Sequence, residues 1–285
     1  MMRENSQLFP LPLNRLFSHY RYQTKRIIFH SSILQRKVLL DLVYPGHKLF
    51  HYGDCSVLFM NDGQDLKSLD YQKIMEELSR SQIIANIITV AIHAGERIQE
   101  YGVSEIPDYK GRGSKAGEYQ EFLISEVFPL VEGFFKISLR PEKTAITGFS
   151  LGGLSAFDFA WDHPEKVSKV GVFSGSFWWR TRALGPDYQE SDRIIHRKVE
   201  SSDHIPQLKF WFQVGTRDEE NDRNQNGVID SIDDTLDLIK SLKSKGFSED
   251  QDIRYIEVEG GEHNQKTWSW VLPQFLEWAF GSEER

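Results

Sequence analysis

Short apolar runs alternate with amphipathic stretches along most of the chain. Residues 26–31 and 37–44 are β-branched or apolar runs closed by turn residues, the second by Pro45-Gly46. Together they predict an antiparallel pair. Residues 56–60, ending in Asn61-Asp62-Gly63, and residues 86–92 read as short strands of the fully buried kind. The same holds for 143–147, 169–173, 209–214 and 253–258. Between these runs, Ile74, Met75 and Leu78 mark a helix over 71–80. Phe122, Leu123, Val127 and Val131 share one face of a longer helix over 118–135. Further helices are predicted over 154–162, 234–245 and 267–280.

Continuous apolar strands separated by amphipathic helices predict an α/β fold, a mostly parallel sheet of about eight strands with helices on both faces. No repeat, linker or composition break interrupts the alternation, so residues 25–285 read as one domain. Residues 1–24 have no clear periodicity and read as an N-terminal arm.

Composition narrows the class. Seven Trp, ten Tyr and nineteen Phe need a packed interior, which excludes a disordered chain. No window approaches the run of about 18 apolar residues that a membrane span requires, so no membrane partner is expected. A net charge of −8 with no basic run argues against nucleic acid. The single cysteine, Cys55, cannot form an intramolecular disulfide and opens an apolar run, as a buried thiol does. The first residues lack the apolar core of a secretory signal, so a cytoplasmic location is expected.

The most informative segment is Gly148-Phe149-Ser150-Leu151-Gly152-Gly153, placed between a predicted strand and a predicted helix. A serine hydroxyl is a weak nucleophile and must be exposed beside a base. A tight strand-to-helix turn projects it there, and the flanking glycines leave room for the crossing. The helix start also aims free N–H groups at a developing oxyanion. The arrangement is that of the nucleophile elbow of α/β-hydrolases, in which an Asp or Glu and then a His follow on later strand-end loops. Asp218 follows the strand 209–214, and His263 follows 253–258 behind a Gly-Gly turn. Ser150, Asp218 and His263 are therefore the expected triad, with Glu219, Glu220 and Asp222 open as alternative acids. The N–H groups of Leu151 and Gln64 are the expected oxyanion donors. Trp178 and Trp179 admit two readings, an aromatic wall for the substrate or core packing.

Met60-Asn61-Asp62-Gly63-Gln64-Asp65-Leu66, Arg97 with Glu100-Tyr101, the elbow, and Phe173-Ser174-Gly175-Ser176-Phe177-Trp178-Trp179 together resemble the Putative esterase family of α/β-hydrolases. The Ser-Gly-Ser-Phe-Trp-Trp segment is most similar to its enterochelin-esterase and salmochelin-esterase branch. The resemblance spans roughly residues 25 to 282 and implies a Ser-His-acid triad on Ser150, His263 and Asp218. It also implies a small-molecule ester substrate and no catalytic cofactor. The enterochelin-esterase type carries an N-terminal capping domain. Here only about 24 residues precede the first predicted strand, which weighs against a large siderophore. Feruloyl or acetyl esters of carbohydrates are the alternative within the family. An acyltransferase would use the same triad.

Residues 222–233 carry a second pattern. Asp222, Asn224, Asn226, the Val228 carbonyl, Asp230 and Asp233 occupy the six ligand positions of a twelve-residue EF-hand-type loop, with Gly227 at the sharp turn. Asp at the last position resembles dockerin loops. From 217 to 237 there are eight acids and two bases, a cluster that repels itself unless screened. A structural Ca²⁺ that orders the loop beside Asp218 is expected. A calcium-dependent binding protein on a hydrolase scaffold is the alternative from another class.

Overall fold

Alternation of side chains within each strand sets the architecture. In β3 (Ser56–Asn61), Val57 and Phe59 enter the core on one face and Leu58 and Met60 on the other. A strand buried on both faces reads as an unbroken apolar run. A computed structural model describes residues 21–46 and 52–281. Its eight strands pair in the order β1-β2-β4-β3-β5-β6-β7-β8. The hairpin of β1 (Tyr22–Ser31) and β2 (Arg36–Pro45) joins β4 (Ile87–Ile92) antiparallel. From β4 onward, β3, β5 (Thr144–Phe149), β6 (Lys169–Phe173), β7 (Lys209–Arg217) and β8 (Ile253–Glu262) are parallel. Their C-terminal ends therefore share one edge, where the loops of open α/β sheets build sites.

One face is covered by α1 (Tyr71–Arg80) and α8 (Gln265–Phe280), which set Ile74, Met75, Leu272, Phe275 and Leu276 against the sheet. Each such burial contributes roughly 1.5–3 kcal/mol. The single turn α2 (Arg97–Glu100) lies at the C-terminal edge. The other face carries α3 (Ala116–Phe122), α4 (Phe128–Phe135), α5 (Leu151–Asp162), α6 (Ile194–Ser201) and α7 (Asp230–Ser244). Cys55 is buried there, and burial pushes its thiol up to about 12. No helix among the described residues is long and apolar enough to cross a membrane.

Several elements differ from the sequence expectation. The helix expected over 118–135 is α3 and α4 joined by a π turn, Leu123–Val127. Pro129 lies just beyond and has no N–H to donate back, which loosens the preceding turn. α6 was not expected, because polar residues outnumber its buried Ile194, Ile195 and Val199. β7 and β8 run on to Arg217 and Glu262, so Asp218 and His263 follow directly on their ends. α7 begins at Asp230, which draws Asp230 and Asp233 into its first turn. Of the expected arm, residues 1–20 lie outside the described residues, and Tyr22 to Thr24 belong to β1.

Candidate active site

Ser150 occupies a backbone conformation, φ 55° and ψ −123°, that side chains rarely adopt. Such a residue costs roughly 1–3 kcal/mol, so its surroundings must hold it. Its N–H donates to the Phe173 carbonyl at 2.8 Å, and its own carbonyl accepts from Gly153, Leu154 and Ser176. The crossing from β5 into α5 is tight: a Cβ on Gly148 would stand 2.2 Å from the Gly152 oxygen. The Ser150 hydroxyl lies 3.3 Å from that of Ser176. Leu151 opens α5, so its N–H has no acceptor within the helix and sits at the positive end of the helix dipole.

The loop after β3 is docked against this turn. Asp62 is left-handed, φ 60° and ψ 46°, and leads into a single 3-10 turn, Gly63–Asp65, that carries Gln64. Arg97 grips both Asp62 oxygens at 2.8 and 2.9 Å and also donates to the Phe149 carbonyl at 3.2 Å. Asn61 donates to the Gly152 carbonyl at 2.8 Å and accepts from the Tyr119 hydroxyl. The Gln64 side chain bridges Asp62 and the Ala94 N–H. The turn that carries Gln64 and the helix start that carries Leu151 are thus held at the same sheet edge. A cavity of about 520 Å³ borders Gln64 on the side of β1 and β2; there His93 and Arg26 share Asp41, a structural cluster.

His263 and Asp218 follow adjacent parallel strands. His263 Nδ1 lies 3.9 Å from Asp218 Oδ2, close to an ion pair and too long for a hydrogen bond. Glu219 accepts from Asn221, Glu220 is exposed and Asp222 is engaged in its own loop; Asp218 is the acid that faces His263. The Asp218 carboxylate is wholly enclosed, and neither oxygen closes a hydrogen bond of good geometry. Burial pushes Asp218 up, opposed by the nearby Ser174 hydroxyl, the Gly215 backbone and His263. Burial pushes His263 down, aided by Arg97 and opposed by Asp218 and Glu219. Among the described residues, no hydrogen bond joins the Ser150 hydroxyl to the His263 ring; the hydroxyl instead lies by that of Ser176. Trp268 stands next to both segments: its ring packs edge-on to His263 (5.3 Å between centroids) and stacks on Phe149 (5.1 Å). In substrate-free sites such bonds are often open and tighten on binding.

The tryptophan pair divides. Trp179 is fully buried within the core, which removes it from the expected aromatic wall. Trp178 is half-buried, two residues beyond Ser176, with the guanidinium groups of Arg112 and Arg180 over its ring at 5.3 and 5.7 Å.

Residues 222–233 form a wound loop. Asp222 accepts the N–H groups of Asn226 and Gly227, and Asn226 Oδ1 accepts that of Val228. The amide nitrogens of Asn224 and Asn226 converge on Asp233 at 2.9 and 2.8 Å. Turning those amides would present oxygens in place of N–H groups, the donor set a hard cation takes. Asp230 departs from the expected set. Its Oδ1 accepts from the backbone N–H of Arg223 at 2.8 Å and lies 3.1 Å from its guanidinium. Arg223 pairs also with Glu190 and Asp234. Among the described residues, no three His, Cys, Asp or Glu side chains form a metal-holding group. A cation here would therefore depend on Asn224, Asn226 and the Val228 carbonyl beside Asp222 and Asp233.

Sequence reasoning gave no role to Arg97, Asn61, Ser174, Ser176 or Trp268. Arg97, Asn61, Ser174 and Ser176 were visible only as part of the family resemblance; Trp268 meets Ser174 through tertiary packing and carries no local spacing signal.

A serine on a strained strand-to-helix turn, at the C-terminal edge of a mostly parallel sheet and with a His–Asp pair on later loops, defines the class: an α/β-hydrolase. The chain belongs to the Putative esterase family, whose model matches residues 31–279, and is an ester hydrolase. An uncharacterized protein of Bacillus subtilis (strain 168), YbbA, is 25% identical over 233 residues, 80% of this chain and 87% of that protein. The enterobactin esterase FES from Shigella flexneri, solved in the presence of enterobactin, superposes with a TM-score of 0.70 at 20% identity. The match covers 90% of this chain, which spans only 58% of that one. A ferulic acid esterase gives a TM-score of 0.70 at 16% identity, covering 92% of this chain and 98% of that one.

Gly215 packs against the acid: a Cβ there would stand 2.4 Å from the Gly261 carbonyl oxygen and 2.6 Å from Asp218 Oδ1. Gly215→Ala is expected to lower stability by about 1–3 kcal/mol, read from urea denaturation. Unchanged stability would show that the acid has room to move.

Proposed function

We propose that the chain is a serine carboxylesterase acting on a small-molecule ester through an acyl-enzyme intermediate. Ser150 attacks the ester carbonyl while His263 takes its proton, and Asp218 holds the imidazole and stabilises its charged form. The N–H groups of Leu151 and Gln64 receive the oxyanion. His263 returns the proton to the leaving alcohol, then activates water to release the acid. The strained backbone of Ser150, at the sheet edge where His263 and Asp218 also follow the ends of their strands, carries this proposal.

Ser150→Ala is expected to abolish p-nitrophenyl acetate hydrolysis and labelling by a fluorophosphonate probe. Wild-type rates in that variant would refute the assignment. Failure of the probe to label wild type would favour a non-catalytic, calcium-dependent binding role. For the acyl group, the half-buried ring of Trp178, two residues beyond Ser176, supports an aromatic acid. The second reading, an esterase of feruloylated or acetylated carbohydrate, is favoured by the match over nearly the whole length of a ferulic acid esterase. Relative turnover of a feruloylated sugar and a catecholate trilactone separates the two.

The depressed pKa of His263 sets the pH response. Catalysis needs the neutral imidazole, so the acid limb of kcat/KM is expected below the ordinary histidine value of 6.5. Arg97→Gln removes a nearby positive charge and should move that limb to higher pH. A limb that stays in place or falls would show that Arg97 does not act on the base.

The loop 222–233 is proposed to hold a structural Ca²⁺ on Asp222, Asn224, Asn226, Asp233 and the Val228 carbonyl. The ion would neutralise the acids beside the β7 loop and take no part in the chemistry. Saturating Ca²⁺ is expected to raise Tm by roughly 5 °C over an EDTA-treated sample. Asp233→Ala should remove that rise; an EDTA-treated wild type with unchanged Tm and activity would refute the site.

A further inference from the structure

Two residues packed against the proposed triad have no part in the mechanism above. Ser174 follows β6, 1% exposed, with a left-handed φ of 48° and its N–H on the Gln213 carbonyl at 2.7 Å. It thus follows the strand that lies between β5 and β7, the strands that deliver Ser150 and Asp218. Trp268 lies in the first turn of α8, 5% exposed, and its Nε1 donates to Ser174 Oγ at 2.9 Å. The same indole touches the rings of His263 and Phe149. One side chain thus contacts the base, the residue preceding the nucleophile, and the hydroxyl beside the acid.

The direction of these bonds follows from chemistry. An indole N–H can only donate, so Ser174 Oγ must accept from it. The serine's own proton is then directed away from Trp268 to another acceptor. The Asp218 carboxylate is enclosed, neither of its oxygens has a hydrogen-bond partner, and the Ser174 hydroxyl is close enough to act on its ionisation. A buried carboxylate without donors is expensive to keep ionised. A hydroxyl held in the donating orientation offsets part of that cost and keeps the charge that His263 needs.

We propose that Trp268, acting through Ser174, is the positioning residue of this site: its N–H commits the Ser174 hydroxyl to Asp218, and its ring fixes the His263 imidazole. The inference rests on the Ser150–His263–Asp218 mechanism and adds to it a single indole that aligns acid and base together. Other charged or titratable groups facing the pair are Arg97, Glu219 and Tyr255, and they stay in place in the variants below.

The test compares Trp268→Phe, which keeps a ring and loses the N–H, with Ser174→Ala, their double variant, and Ser150→Ala. Loss of a hydrogen bond that serves a charged group predicts a fall in kcat of roughly 10- to 100-fold for each single variant. KM should change little. The acid limb of kcat/KM should move to higher pH, because the active form, ionised Asp218 with neutral His263, loses stabilisation relative to the protonated pair. The double variant should be no worse than Ser174→Ala, since both substitutions remove one linked interaction. Wild-type kcat and pH profile in both single variants would overturn the inference. So would a loss of activity that only tracks the loss of folded protein, with the acid limb unmoved. If Ser150→Ala stays active, the mechanism fails and this inference with it. If Ser150→Ala is inactive while the other variants are unaffected, only the inference fails.

Discussion

The structure depends on one crowded crossing. β5 must turn into α5 within a residue, and the Gly148 backbone meets the Gly152 carbonyl where no Cβ fits. That contact forces Ser150 into its rare conformation and keeps it there. Everything else at the sheet edge is arranged around the point it defines. β6 supplies the acceptor for the Ser150 N–H, the loop after β3 docks against α5, and β7 and β8 extend to bring an acid and an imidazole to the same edge. Large apolar side chains on both sheet faces offset the local strain, with α1 and α8 below and α3 to α7 above.

Electrostatically the edge is divided. Arg97 places a positive charge near the imidazole and spends most of its hydrogen-bonding capacity on Asp62 and the Phe149 carbonyl. The acid is enclosed and the imidazole partly open to solvent, with side-chain exposures of 0% and 39%. The two environments push the ionisations in opposite senses, the carboxyl up and the imidazole down. Both shifts favour the neutral members of the pair.

Much of the fold was legible because both-face burial makes the central strands of a parallel sheet uniformly apolar. Val57 through Met60 is such a run, and the strand read at 143–147 extends to Phe149. The elbow was legible because its glycines, its serine and its flanking periodicities occur together in a few residues. α6 was not legible, since three buried apolar residues in eight leave a polar surface pattern dominant. The engagement of Asp230 was hidden for a related reason. An EF-type pattern places no constraint on its second position, yet Arg223 stands there and pairs with Asp230. The fate of Trp179 against Trp178 was undecidable along the chain, because adjacent residues diverge only once the surrounding core is known. Ser174 and Trp268, ninety-four positions apart, meet only after α8 packs on the sheet.

The Asn61 amide bonded to the Gly152 carbonyl has a consequence for how the site accepts charge. It ties two segments ninety-one positions apart into a single mechanical unit, and the gap between the two N–H bearing turns is spanned by one short side chain. In the mechanism proposed above, that brace would hold the two N–H bearing turns in place before the ester arrives.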